Sequence, residues 1–168
     1  MSFTLKKGDI TKLDADVIVN AANGRLAPGG GVCGAIFSAA GYDQLDQACR
    51  KLGGCETGSA VITPGFALPA RHVIHAVGPV WQGGKRNEAQ LLGSCYTCSL
   101  ELALKNRCKS IAFPLISSGI YGYPKEEAFQ IAISAIRHFL EKHDMEVYLV
   151  LFDQETYQLG QRLMEEEG

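Results

Sequence analysis

The sequence has no apolar run approaching the roughly 18 residues that span a bilayer, and its opening MSFTLKKGDI lacks the apolar core of a secretory signal. Both absences point to a soluble, cytoplasmic protein with no membrane partner. Charge of one sign is missing too: 16 Lys plus Arg against 18 Asp plus Glu leave a formal net charge of -2. No basic run is long enough to make a non-specific nucleic-acid footprint, so any nucleotide bound is expected to be small. Internal repeats, linkers and low-complexity tracts are absent, and 168 residues fit one domain at the usual ~100–200 residues per domain. A second C-x-x-C and a His pair at zinc spacing are both lacking, so no metal is expected. The one C-x-x-C, Cys95-Tyr-Thr-Cys98, falls inside a helical pattern. There Leu91, Cys95, Cys98 and Leu102 form an apolar stripe, which favours core thiols over redox chemistry. In a reducing compartment all six cysteines read as free thiols.

What is present alternates between strand and helix patterns, which predicts an α/β domain with a mainly parallel sheet. Strands are expected at residues 3–7, 17–19, 58–63, 72–77, 111–115 and 146–152. Helices are expected after the glycine-rich stretch, at about 43–52 and 87–107, between the last two strands, and from about Asp153, a good N-cap. The first helix should bury Val32, Ala35, Ile36, Ala39 and Ala40 and stop at Gly41. The helix before the last strand has the clearest stripe, Ala128, Ile131, Ala132, Ala135, Ile136, Phe139 and Leu140, with Pro124 near its first turn. The last helix ends in the tail EEEG, whose three glutamates read as a solvated helix terminus.

Two buried strands each run into glycine and then into a helix: Val17 to Val19 before NAANGRLAPGGG, and Ile111 to Leu115 before ISSGIYGYP. In parallel sheets ligands bind beyond the carboxyl ends of the strands, where helix N-termini offer free N–H groups and partial positive charge. Two such loops on one crevice could hold two linked phosphates; either alone also reads as a connecting turn. Gly29, Gly31 and Gly34 spell G-x-G-x-x-G. A Rossmann reading requires those glycines directly after the strand, and here Ala21 to Pro28 intervene. Glu56 also precedes a strand instead of ending one, which disfavours an NAD-dependent oxidoreductase.

Five ordered motifs carry a family resemblance: Gly8-Asp9-Ile10-Thr11, Asn20-Ala21-Ala22-Asn23, Gly29-Gly30-Gly31-Val32 with Gly34-Ala35-Ile36, His75-Ala76-Val77-Gly78-Pro79, and Ile116-Ser117-Ser118-Gly119-Ile120-Tyr121-Gly122. The chain resembles a macrodomain, the ADP-ribose-binding module, and is most similar to its bacterial and MacroD-type branch. That resemblance implies a single three-layer α/β/α macrodomain over residues 1–168, with a mixed, mainly parallel sheet. Its partners would be ADP-ribose and ADP-ribosylated protein or O-acetyl-ADP-ribose; it would need no cofactor and act as a monomer.

The family's roles transfer residue by residue. Asp9 would accept from the adenine amino group and the Ile10 N–H would support the ring; on its own Asp9 reads as a turn or cap residue. Phe152 would stack on adenine with Asp153 beside it, although VYLVLF also allows a core aromatic. Asn23 would hold the distal ribose, since an amide both donates and accepts; before Gly24 it also reads as a turn asparagine. Asn20 would hold the loop. The pyrophosphate would lie on backbone N–H groups of Val32, Ser117, Gly119, Ile120 and Tyr121, with Gly30, Gly31, Cys33, Gly34 and Ser118 completing the cradle and Tyr121 walling the ribose. His75 reads as structural.

MacroD-type hydrolases carry an aspartate where this chain has Cys33, and many carry a histidine where it has Phe37. Three readings follow. The substrate's own phosphate activates a water while Asn23 fixes the sugar, Cys33 acts as a thiol activated at a helix N-terminus, or the domain binds without turnover. The first is preferred, because Cys is also a small space-filler and no orienting histidine is assignable.

Overall fold

The computed structural model describes residues 2–167; Met1 and Gly168, the latter ending the expected EEEG tail, lie outside the described residues. Along the chain run β1 (Ser2–Lys7), a 3-10 turn (Ile10–Lys12), β2 (Val17–Ala22), α1 (Gly31–Ala40), α2 (Tyr42–Leu52), β3 (Ala60–Pro64), β4 (His72–Val77), α3 (Glu88–Lys105), β5 (Ser110–Phe113), α4 (Lys125–Leu140), β6 (Glu146–Leu151) and α5 (Gln154–Glu167). The sheet order is β1-β6-β5-β2-β4-β3. Every pairing is parallel except that of β3 with β4. The expected mixed, mainly parallel α/β architecture is therefore what forms.

Parallel neighbours need long crossovers, and the helices supply them. Two apolar layers result, one on each face of the sheet. On one face Val17, Val19 and Ile74 pack with residues of α3, α4 and α5. On the other, Ile18, Val73 and Val77 pack with Ile36 and Phe37 of α1 and Leu45 of α2. Successive side chains of β2 thus enter opposite cores, which is why VIV is a continuous apolar run. Central β2 lies between β4 and β5, and the chain crosses from one to the other through α3. That reversal opens a crevice at the carboxyl end of β2.

Three stripes differ from expectation. In α4, Phe129 and Ile133 are buried with Ala128, Ala132, Ile136, Phe139 and Leu140, while Ile131 and Ala135 are only half-buried. In α1 the buried residues are Cys33, Ile36, Phe37 and Ala40, while Ala35 and Ala39 are exposed. GVCGAIFSAA is apolar nearly all round, so two stripes one position apart fit the helical period equally. The larger Phe37 side chain decides between them, because its burial removes more apolar surface from water. In α3 the buried face is Leu92, Cys95, Tyr96, Ser99, Leu100 and Ala103, which leaves Leu91, Cys98 and Leu102 at the margin. Strand β2 runs on through Asn20, Ala21 and Ala22, whereas β5 ends at Phe113, ahead of Pro114, which has no N–H for a ladder. Among the described residues no helix is long and apolar enough to cross a membrane. All six thiols are free, and burial pushes that of Cys95 up to about 12.

Candidate ligand-binding cleft

Beyond the carboxyl ends of β2, β5 and β6 lies a cleft of about 500 Å³. One wall is Ala21 to Asn23 and Gly29 to Cys33; the other runs from Pro114 through Tyr121. Val150 and Leu151 form part of the floor, and Phe152, Asp153 and Thr156 stand at one end with Lys125. Both glycine-rich loops therefore do meet on one space.

In the first loop Gly31 (φ +56) turns the backbone into α1. The first N–H groups of a helix have no partner within it, and here those of Gly31, Val32 and Cys33 donate to no protein acceptor among the described residues. Gly34 does not line the cleft. Its missing Cβ makes room for the chain folding back, since a Cβ there would meet Gly29 O at 2.6 Å. In the second loop Tyr123 N–H donates to Ser117 O (2.9 Å) and Gly122 N–H to Gly119 O (3.0 Å). The N–H groups of Ser117, Gly119, Ile120 and Tyr121 likewise donate to no protein acceptor among the described residues. Two sets of unspent donors thus belong to residues lining one cleft, the arrangement a diphosphate requires.

Asn23 forms a clamp on its own loop. Its Nδ2 donates to Ala27 O at 2.9 Å and its Oδ1 accepts from Ala27 N–H at 3.0 Å. The turn role is real, yet a side-chain amide has two N–H donors and two lone pairs. One of each remains for a sugar diol. Cys33, 7% exposed, has its Sγ 3.8 Å from Ala27 O and 3.6 Å from Asn20 Nδ2. The thiol is occupied in packing beneath the loop.

At the other end Phe152 is 80% exposed, so it is no core aromatic: β6 stops at Leu151. Asp153 caps α5, accepting from Thr156 N–H (2.8 Å) and Thr156 Oγ1 (3.0 Å). Gly8 N–H donates to Leu151 O at 2.9 Å, which sets the following Asp9 turn beside this end. Asp9 Oδ1 accepts from Thr11 Oγ1 (2.7 Å) and Thr11 N–H (3.0 Å). The hydroxyl bond is the main reason its carboxyl lies below the ordinary range. Asp9 caps the 3-10 turn and Ile10 is buried in it; neither lines the cleft.

The Macro domain family model matches residues 19–132. A macro domain-containing protein of Mesorhizobium japonicum is 57% identical over 154 residues, covering 90% of this chain and 87% of its own. The chain belongs to the macro domain family. Another relative, named O-acetyl-ADP-ribose deacetylase, from Citrobacter koseri, is 51% identical over 170 residues, covering 98% of this chain and 96% of its own. Among solved structures, a mutant Oceanobacillus iheyensis macrodomain with ADPR superposes with a TM-score of 0.93 at 43% identity, covering 97% of this chain and 91% of that one.

Two supports of this macro domain's cleft, Tyr96 and Lys125, lie outside its motifs, and others lie within them. Tyr96, fully buried in α3, donates through Oη to Pro114 O (3.4 Å) and accepts the Ile116 N–H (3.0 Å), anchoring the start of the second loop. Burial raises its phenol well above the ordinary value. Gly78 follows β4 where a Cβ would lie 2.1 Å from Ser117 Oγ and 2.6 Å from Ile116 Cγ2. Ser117 Oγ is buried against it without a protein partner among the described residues. Asn20 Nδ2 lies 3.1 Å from His75 Nδ1 on the neighbouring strand and 3.6 Å from Cys33 Sγ, and His75 Nε2 lies 3.0 Å from Thr63 Oγ1. Desolvation lowers the His75 pKa to about 4, so the ring is neutral at ordinary pH. Lys125, whose Nζ donates to Thr156 Oγ1 at 3.1 Å, had no sequence signal beyond following Pro124.

Proposed function

We propose that this macro domain binds ADP-ribose and hydrolyses its esters, either O-acetyl-ADP-ribose or mono-ADP-ribose on acidic side chains. The observation that carries the reading is the pair of unspent N–H sets, at Gly31 to Cys33 and at Ser117 to Tyr121, on a cleft that ends in an exposed aromatic ring. A diphosphate takes the N–H groups, adenine stacks on Phe152, and the distal ribose reaches Asn23. The deacetylase name of the relative at 51% identity supports the same chemistry. We further propose that one such domain spans the chain, working as a cytoplasmic monomer on a free nucleotide ester or a modified protein.

Turnover on an acidic side chain adds water to the anomeric carbon as the ester C–O bond breaks and the carboxylate leaves. The water's proton passes to a substrate phosphate oxygen, so no protein base is needed at Cys33. Asn23 fixes the sugar with the amide groups its clamp leaves free, which makes the water's approach effectively intramolecular. A binding-only module is the second reading, favoured specifically by Cys33, a packed thiol where MacroD-type enzymes have aspartate. Incubation with O-acetyl-ADP-ribose and with a mono-ADP-ribosylated glutamate peptide decides. Release above background on either substrate establishes the enzyme, and saturable ADP-ribose binding without release establishes the reader.

A further inference from the structure

Glu88 opens α3 and is 2% exposed, away from the cleft. Its carboxylate accepts three backbone N–H groups: Oε2 from Gln82 (2.7 Å) and Gly84 (3.1 Å), and Oε1 from Arg86 (2.6 Å). Burial alone would raise its pKa, but the three donors outweigh it and hold the carboxyl below the ordinary value. An ionised acceptor satisfying three N–H groups fixes the path of residues 82–86.

That segment is continuous with Trp81 and packs on it. A Cβ on Gly84 (φ +90) would lie 3.0 Å from Trp81 Cη2, so the nest's own backbone covers the indole. Trp81 in turn holds the second phosphate loop. Its backbone N–H donates to Tyr121 O at 2.8 Å, and its ring meets Tyr123 with centroids 4.7 Å apart. Tyr121 lines the cleft.

We propose that Glu88 is a positioning residue for the phosphate-binding loop, acting through residues 82–86 and Trp81 to hold the Tyr121 backbone in its ligand-ready position. The inference rests on the reading of the cleft as an ADP-ribose site. Nothing in the site motifs assigns Glu88 this role, because it touches no residue of the cleft wall directly. It acts by keeping a loop from having to be ordered when the ligand arrives.

Trp81 is the chain's single tryptophan, so indole fluorescence reports the surroundings of this one ring, which packs on Gly84 and Tyr123. With ADP-ribose as probe and full-length protein, wild type should bind saturably with a change in emission. Glu88→Gln keeps the shape but turns an NH2 group toward an N–H donor. It should raise the ADP-ribose Kd about 10-fold, within the usual range of coupling, and shift the unliganded emission toward that of a solvated indole. A folded Glu88→Gln protein with wild-type Kd overturns the inference even if its Tm falls, since a merely structural residue does only that. Should the variant not fold, wild type decides by reciprocity: saturating ADP-ribose must slow hydrogen exchange at Gln82, Gly84 and Arg86 by the same factor of about 10. Unchanged exchange there overturns the positioning role. Absence of binding by wild type itself would instead overturn the ADP-ribose reading, and this inference with it.

Discussion

The first glycine loop is clamped by its own Asn23, whereas the second, beyond its internal turns, is anchored by Tyr96, Gly78 and Trp81 from other parts of the fold. Asn23 clamps Ala27 four residues on, and Cys33 tucks its thiol toward the same carbonyl. The loop from Pro114 to Tyr121 instead hangs on Tyr96 of α3, on Gly78 after β4 and on Trp81. A loop clamped mainly by its own residues, as the first is apart from the Cys55 N–H bond to Gly24 O (2.9 Å), depends chiefly on its own sequence. One braced at a distance is sensitive to substitutions that never touch the ligand.

That difference should be open to attack by pH. His75 of β4 touches Asn20, whose Nδ2 also reaches Cys33 Sγ beneath the first loop, and its pKa drops from 6.5 unfolded to about 4 folded. The unfolded chain takes up the proton first, so this contribution is fully present above about pH 6.5 and is lost as pH falls toward 4. About 3 kcal/mol of stability is at stake at roughly 1.4 kcal/mol per pKa unit. Denaturant unfolding between pH 7 and 5 should show the onset, and His75→Gln should flatten it. A wild-type profile that is level over that range contradicts the buried neutral ring. The second loop's supports, a phenol and backbone N–H groups, do not titrate in this window.

Substitution sharpens the comparison from the other direction. Asn23→Ala should lower kcat on O-acetyl-ADP-ribose about 100-fold, the cost expected of a misplaced reacting centre, while calorimetry finds the ADP-ribose Kd changed by much less. Equal losses in both would make Asn23 only a loop brace. Gly78→Ala places a methyl against Ser117 Oγ and Ile116, and overpacking of about 1–3 kcal/mol should weaken ADP-ribose binding roughly 10- to 100-fold without touching the first loop. Wild-type affinity in that variant would show the second loop yields easily. Cys33→Ala should have the smallest effect, lowering kcat no more than about threefold, because it keeps the backbone N–H and removes a thiol that only packs. Loss of turnover there would restore Cys33 to the chemistry.

Legibility followed the same division. The strands, their order along the chain and both glycine loops were readable because periodicity and turn chemistry are local. So was the capping by Asp153, since Thr156 lies within one turn of it. The α1 stripe was not, because a helix apolar on every side carries no phase until a core selects the bulkier residues. Phe152 was ambiguous for a related reason: VYLVLF does not say where β6 ends, and the end decides whether the ring is core or cleft. Lys125, Tyr96 and Glu88 left no trace in any motif, as each acts on a partner that only the fold brings near.

By itself the sequence determined the α/β class and the two glycine loops, properties set by short-range patterning of apolar residues and by glycine's freedom at positive φ. Tertiary structure decided that the loops share one cleft, that Cys33 points into packing, and that the second loop rests on Tyr96, Gly78 and Trp81. Those facts depend on strand order and on which side chains fill the space between helix and sheet. Such contacts join residues far apart in the chain, and spacing along the chain does not record them.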